Sequence, residues 1–315
     1  MTLAFTLVIS GIALIWVSAE KLEKYSVSTA KQFGLSPFLI GSTVIAFGTS
    51  APEMLTTFFV SLESQGTMVI GNVIGSNVAN LSLVFGSMLL IVSIKKKNIS
   101  QPKSINQNLI ILLISSLLVW VAIAVDPFNL ITSIILLISL SAVIYFWYKN
   151  NKESQDLEYK NSSKNSLAKL ILSLLTLVFA AWLITTGAIL ILDKFNLGQL
   201  FIGYTVLAIG TSLPEIAASI SLALKSRYEA VAGTLIGSNI FNGLCVLAIP
   251  GLFRDDQMSL GWEFKEWSVL LIILFTITLV FSAYISILSK QVKKASLLLS
   301  IVFLSVYFVS LIYAY

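Results

Sequence analysis

The 315-residue chain reads as an all-α integral membrane protein, with ten transmembrane helices arranged as two inverted five-helix repeats and broken helices at the centre. Three observations carry this reading. The composition is 57% hydrophobic and 11% charged with a mean hydropathy of +0.92, against about 25% charged residues in soluble domains, which excludes a soluble globular protein. Apolar runs long enough to cross roughly 30 Å of hydrocarbon stand near 3–19, 37–62, 67–93, 106–125, 128–148, 166–192, 199–224, 229–252, 266–288 and 295–314. The chain also aligns on itself at an offset of 162 residues, so that 38–80 matches 200–242 without a gap and 19 of those 43 positions are identical.

The first run has no Lys or Arg before it, and the earliest basic residues are Lys21 and Lys24, so it reads as a retained span rather than a secretory leader. Five runs precede the polar stretch "YKNNKESQDLEYKNSSKNS" and five follow it. The division is then 1–147 for the first repeat, 148–166 for a linker and 167–315 for the second repeat. Five spans is an odd number, so the second copy enters the membrane from the opposite side to the first. The repeats are therefore inverted about an axis in the membrane plane, and folds of this kind place their site at the repeat interface near mid-membrane. Loops on one side of this topology hold 17 of the 20 basic residues; the other side keeps only Lys194, Arg254 and Lys265. The bias makes the linker cytoplasmic and both termini extracellular in a multi-pass cell-membrane protein. The net charge of +5 thus reports topology and not a nucleic-acid partner. A single cysteine, Cys245, and no histidine leave no internal disulfide and no soft-metal cluster, so neither a cofactor nor enzyme chemistry is expected.

Agreement between the halves concentrates in two motifs. Gly48-Thr49-Ser50 with Pro52-Glu53 returns as Gly210-Thr211-Ser212 with Pro214-Glu215; Ile74-Gly75-Ser76-Asn77 with Asn80 returns as Ile236-Gly237-Ser238-Asn239 with Asn242. A carboxylate at mid-bilayer depth costs roughly 2.5–3.5 kcal/mol. Every Lys and Arg falls in a loop or at a span end, where none can neutralise Glu53, which leaves a bound cation as the natural counter-charge. Pro52 donates no backbone hydrogen bond and crowds the carbonyl of Gly48, so the helix is expected to open and release carbonyls between Ala46 and Thr49. Ser50, three residues before Glu53, reads as a capping box that starts a second half-helix inside the bilayer, with Glu53 at its positive end.

Such an oxygen-rich pocket suits hard cations such as Na+ and Ca2+. Glu53 and Glu215 together carry a charge of -2, which one Ca2+ neutralises and several Na+ can replace. A ligand set that serves either ion in turn is what an exchanger requires. Two like charges in an empty site can also take up a proton, so proton-coupled exchange of Ca2+ stays open as an alternative. Close helix packing through small residues is the competing account of the Gly-Ser-Asn motifs. It leaves unexplained Asn80 and Asn242, which lie four residues beyond Ser76 and Ser238 on the same helical face. The 19 Phe and 6 Trp are expected mostly at the lipid surface and the interface.

These paired motifs resemble the sodium/calcium exchangers of the calcium/cation antiporter superfamily, in particular the short prokaryotic ones. The motif stretches cover two segments of 43 residues, and the span number and central linker extend the match over the whole chain. The resemblance implies a secondary active antiporter exchanging Na+ for Ca2+ by alternating access at a mid-membrane site. Its Ca2+ ligands would be the carboxylates of Glu53 and Glu215 with the carbonyls of Thr49 and Thr211. Flanking Na+ sites would draw on Ser50, Ser76, Ser212 and Ser238 and the carbonyls of Ala46 and Ala208, with Asn80 and Asn242 lining the centre. The first and sixth spans would slide across the remainder. Some relatives carry Asp where this chain has Asn242, and its absence argues against K+ coupling; a cation channel fits inverted repeats with mid-membrane carboxylates less well than alternating access.

Overall fold

The computed structural model describes residues 2–62, 64, 66–95, 98–99, 105–150, 165–192, 204–205, 208–253, 264–288, 293–294 and 297–314. Helix α1 (Thr2–Phe33) is followed by α2 (Pro37–Leu62), α3 (Gly66–Ile94), α4 (Ile105–Val125) and α5 (Leu130–Asn150). Then come α6 (Ser166–Leu192), α7 (Ala208–Leu224), α8 (Tyr228–Leu252), α9 (Phe264–Leu288) and α10 (Leu297–Ala314). Among the described residues α2, α3, α4, α5, α8 and the Ser268–Ser286 part of α9 are long and apolar enough to cross a membrane. Residues 151–164 of the expected linker lie outside the described residues, and helix continues through Asn150 on one side and starts at Ser166 on the other.

Local chemistry sets the boundaries. Gly34, at φ +60°, ends α1 in the left-handed region that glycine enters without strain. Ser36 then caps α2 by accepting the Leu39 N–H at 3.1 Å, with Pro37 in the first turn. Helix α1 runs well past the apolar stretch 3–19, because its second half stays amphipathic. Leu22, Ser26 and Thr29, at helical spacing, are fully buried there. The packing partner is α6, which lies along α1, and the ends are tied where Ser166 donates to Gln32 Oε1 and Lys169 sits 5.6 Å over the Tyr25 ring. The end of α1 thus meets the start of α6, so the two helices are antiparallel.

Several pairs of positions 162 residues apart are placed alike. Ser64 and Ser226 both take a positive φ, 57° and 59°, in the short connections after α2 and α7, and their N–H groups reach the carbonyls of Ser61 and Ala223. Gly75 packs on Tyr204 and Ala208, while Gly237 packs on Ser42 and Ala46, so α3 of the first half lies against the start of α7 and α8 against the start of α2. Ser116 of α4 and Thr278 of α9, themselves 162 apart, meet at 3.5 Å, and each also bonds the carbonyl four residues before it. Residues 98–99 and 293–294 form a two-stranded antiparallel ribbon that joins the segments after α3 and α9.

The aromatic expectation needs correcting in part. Trp120 and Trp182 are exposed on the outer face, but Trp147 is fully buried and donates its indole N–H to Asn108 Oδ1 at 2.9 Å. Phe85, Phe281 and Phe303 form an edge-to-face core between α3, α9 and α10, with centroids 4.8 and 4.9 Å from Phe85. A count of apolar residues does not separate lipid-facing from core aromatics, since neither environment contains water.

Candidate cation site

Helices α2 and α7 are both interrupted at a serine. Ser50 has φ/ψ of −83°/4° and Ser212 −79°/0°, and proline follows each two residues on. The break is tighter than expected. The carbonyls of Ala46 and Ala208 stay hydrogen-bonded to the N–H groups of Ser50 and Ser212, at 2.9 and 3.1 Å, and each also accepts from a threonine hydroxyl, Thr49 at 3.3 Å and Thr211 at 3.5 Å. The expected capping box is also absent. Ser212 makes no side-chain cap, and the Ser50 hydroxyl crosses to the other half, donating to Glu215 Oε1 at 3.1 Å. Long-range charge outcompetes the local cap because a hydrogen bond to a buried carboxylate is roughly twice as strong as a neutral one.

That contact puts the breaks of the two halves together. Glu53 and Glu215 are both fully buried and lie close enough for their charges to repel each other. Thr211 faces Glu53, and Thr49 and Ser238 face Glu215 with their own hydroxyls 3.5 Å apart. Ser50, Ser76, Ser212, Ser238, Asn80, Asn242, Ala46 and Ala208 are all fully buried, with Thr49 and Thr211 at 2% exposure or less. Every residue singled out in the two motifs is therefore inside, on α2, α3, α7 and α8.

Among the described residues, nine of the 17 buried side-chain polar atoms without a hydrogen-bond partner belong to these positions. Both carboxylate oxygens of Glu53, Oε2 of Glu215, the whole amides of Asn80 and Asn242, and the hydroxyls of Ser76 and Ser212 are unpartnered. Native interiors seldom leave such groups unsatisfied, since each costs about 1–3 kcal/mol and charged groups cost more. Their concentration around two buried like charges is what an oxygen-ligated cation would satisfy.

Two features escaped sequence reasoning. Asn80 and Asn242 each open a five-residue π-helical turn, Asn80–Val84 and Asn242–Val246. A wide turn of this kind withholds regular backbone pairing just where the amide enters the site. The second is Asn72, which donates to Thr57 Oγ1 at 3.2 Å. Thr57 is one turn beyond Glu53 and Asn72 one turn before Ser76, so a stripe at Asn72, Ser76 and Asn80 was the available signal.

Comparison with known proteins agrees with this geometry. The sequence model of the family described as sodium/calcium exchanger protein matches residues 3–149 and 165–315. Membrane protein MJ0091 of Methanocaldococcus jannaschii is 33% identical over 267 residues, covering 83% of this chain and 84% of the relative. The sodium/calcium exchanger MaX1 of Methanosarcina acetivorans is 24% identical over 342 residues, covering 87% and 97%. Among solved structures, the sodium-calcium exchanger NCX_Mj soaked with Na+ and Sr2+ superposes with a TM-score of 0.81 at 30% identity, over 99% of this chain and 98% of that one. Members of that family are membrane transporters with Na+ and Ca2+ as substrates, and with both halves matched, this chain belongs to the sodium/calcium exchanger family.

Proposed function

We propose that the chain exchanges Na+ for Ca2+ across the cell membrane by alternating access at the site between α2, α3, α7 and α8. The observation that carries the proposal is the buried pair Glu53 and Glu215, surrounded by unpartnered oxygens and with no cation of the protein among the neighbours described for either. One Ca2+ neutralises the pair, held by both carboxylates and the carbonyls of Thr49 and Thr211. Na+ ions would instead spread over Ser50, Ser76, Ser212 and Ser238, the carbonyls of Ala46 and Ala208, which the Thr49 and Thr211 hydroxyls would release, and the central amides of Asn80 and Asn242. Occupation by either ion removes the repulsion between the carboxylates, whereas moving the empty site would carry two uncompensated buried charges.

The reading includes ten spans in two inverted halves, 1–147 and 167–315, joined by a cytoplasmic linker at 148–166, with both termini extracellular. The paired placements at 162-residue spacing support the inversion, above all the antiparallel α1 and α6 and the meeting of Ser116 with Thr278. The ribbon between 98–99 and 293–294 supports the orientation, since it brings together two lysine-bearing connections that the charge bias assigns to one side. Helices α1 and α6, which pack on each other along their length outside the site, fit the part of a sliding gate.

Calorimetric titration of Ca2+ into the purified protein tests the site. Removing one carboxylate charge by Glu53→Gln or Glu215→Gln is expected to weaken binding by about 2 kcal/mol or more, some 30-fold. Unchanged affinity in both variants would place the site elsewhere.

A further inference from the structure

Behind the break in α2 lies a cleft of about 700 Å³ that the ion site does not use. Its floor is Gly48 and Ala51, the residues flanking Thr49 and Ser50, and its walls come from α5, α6 and α8. The lining is apolar apart from Cys245 and Thr43, and the Thr43 hydroxyl already donates to the carbonyl of Leu39 at 2.6 Å. A hydrated ion or polar solute would find no partner there. The size falls within the roughly 300–1,000 Å³ of small-molecule sites.

The surroundings name the occupant. Phe47, Ile171 and Leu175 line the cleft and are 52%, 46% and 60% exposed, although they lie on apolar helices of a membrane protein. The mouth is therefore continuous with the belt that faces hydrocarbon, and what fills a dry opening in that belt is the apolar part of a lipid. We propose that the cleft is a binding site for one phospholipid acyl chain, which enters between α5 and α6 and forms the lateral wall behind Thr49 and Ser50. Leu174 already occupies the notch at Gly48, where an added Cβ would come within 2.5 Å of its Cδ1. The chain would complete that seal and keep water from reaching the break sideways. One wall is α6, so the cleft must change shape whenever α6 moves relative to α2.

The site needs the bilayer and not the ions, so its test reads no ion flux and its failure is separate from failure of the exchange reading. Cys245, partly exposed in the cleft, is the only cysteine in the chain, so the wild-type protein is its own probe. In phosphatidylcholine vesicles, N-dodecylmaleimide is expected to modify Cys245 at least tenfold faster than a sulfonate-bearing methanethiosulfonate supplied to both sides. Native mass spectrometry of the detergent-extracted protein is expected to retain one phospholipid. Ile171→Trp, on the rim and outside the ion site, should lose both the retained lipid and the fast labelling while its thermal unfolding stays as in the wild type. Equal reaction with the charged reagent would overturn the proposal by showing a water-filled cleft. So would a lipid retained equally by a well-folded Ile171→Trp protein.

Discussion

Gly237→Ala is the sharpest test of how the two halves hold the site. A Cβ at residue 237 would stand 2.5 Å from the carbonyl oxygen of Ser42 and 2.7 Å from both the Ser42 Cα and the Ala46 Cβ. Ordinary contact begins near 3.4 Å, so α8 must retreat from α2 by some 0.9 Å, and the nearest obstacle is backbone that no rotamer change can clear. Overpacking of this kind costs about 1–3 kcal/mol. The thermal midpoint is expected to fall by at least about 2 °C. Ser238 is the next residue, and a binding constellation tolerates displacements of only about 0.5 Å, so Ca2+ affinity should drop about tenfold or more. Gly243→Ala is the comparison: its Cβ meets only a methyl of Val119 on α4 at 2.6 Å, with the next neighbour at 3.7 Å, so the strain falls between α8 and α4 and leaves the crossing of α8 and α2 alone. Unfolding followed by tryptophan fluorescence, with Ca2+ titration of both variants, reads the difference. If Gly237→Ala matched the wild type in stability and affinity, the close crossing of α2 and α8 would not be positioning the ligands.

Four further outcomes follow from the hydrogen bonds and charges of the interior. Ser50→Ala leaves Glu215 Oε1 without its donor, a bond worth about 1.5–3 kcal/mol, so the ion-free protein should unfold at lower temperature. Ser212→Ala, whose hydroxyl has no partner, should leave ion-free stability within about 0.5 kcal/mol of wild type while weakening ion binding, as calorimetry in chelated and Ca2+-loaded buffer can show. Tyr307→Phe keeps the stack on Tyr204 but removes the hydroxyl that donates to the Tyr204 carbonyl at 3.0 Å, at a cost of about 1–3 kcal/mol in a thermal melt. Asn80→Asp adds a third negative charge beside the pair, so the ion-free melt should fall and the gain on adding saturating Ca2+ should exceed that of wild type.

Much of this architecture was readable before any coordinates. Among the described residues, helices stand where hydropathy marked apolar runs, six of them long and apolar enough to cross a membrane, because a span in hydrocarbon must satisfy its backbone internally. The offset of 162 picked out Glu53, Glu215 and their serine and asparagine neighbours, because duplication repeats polar residues that the bilayer otherwise penalises. What escaped depends on contacts between distant segments. Nothing local distinguishes a capping Ser50 from one that crosses to Glu215, since the same Ser-x-x-Glu spacing serves both. The left-handed turns at Ser64 and Ser226 carry no glycine to announce them, and the π-helical turns after Asn80 and Asn242 sit in ordinary helix-forming sequence. The second half of α1 is polar enough to fall below a hydropathy threshold, yet it is buried by α6, a partner more than a hundred residues away.

The counter-ion decides the central claim. In proteoliposomes loaded with Na+ and diluted into Na+-free medium, radiolabelled Ca2+ is expected to accumulate against its gradient, and collapsing the Na+ gradient should stop it. Glu53→Gln and Glu215→Gln proteoliposomes should show no Na+-driven uptake. Equal accumulation driven by a pH gradient without Na+, or Ca2+ entry that needs no counter-ion at all, would contradict Na+/Ca2+ exchange by this chain.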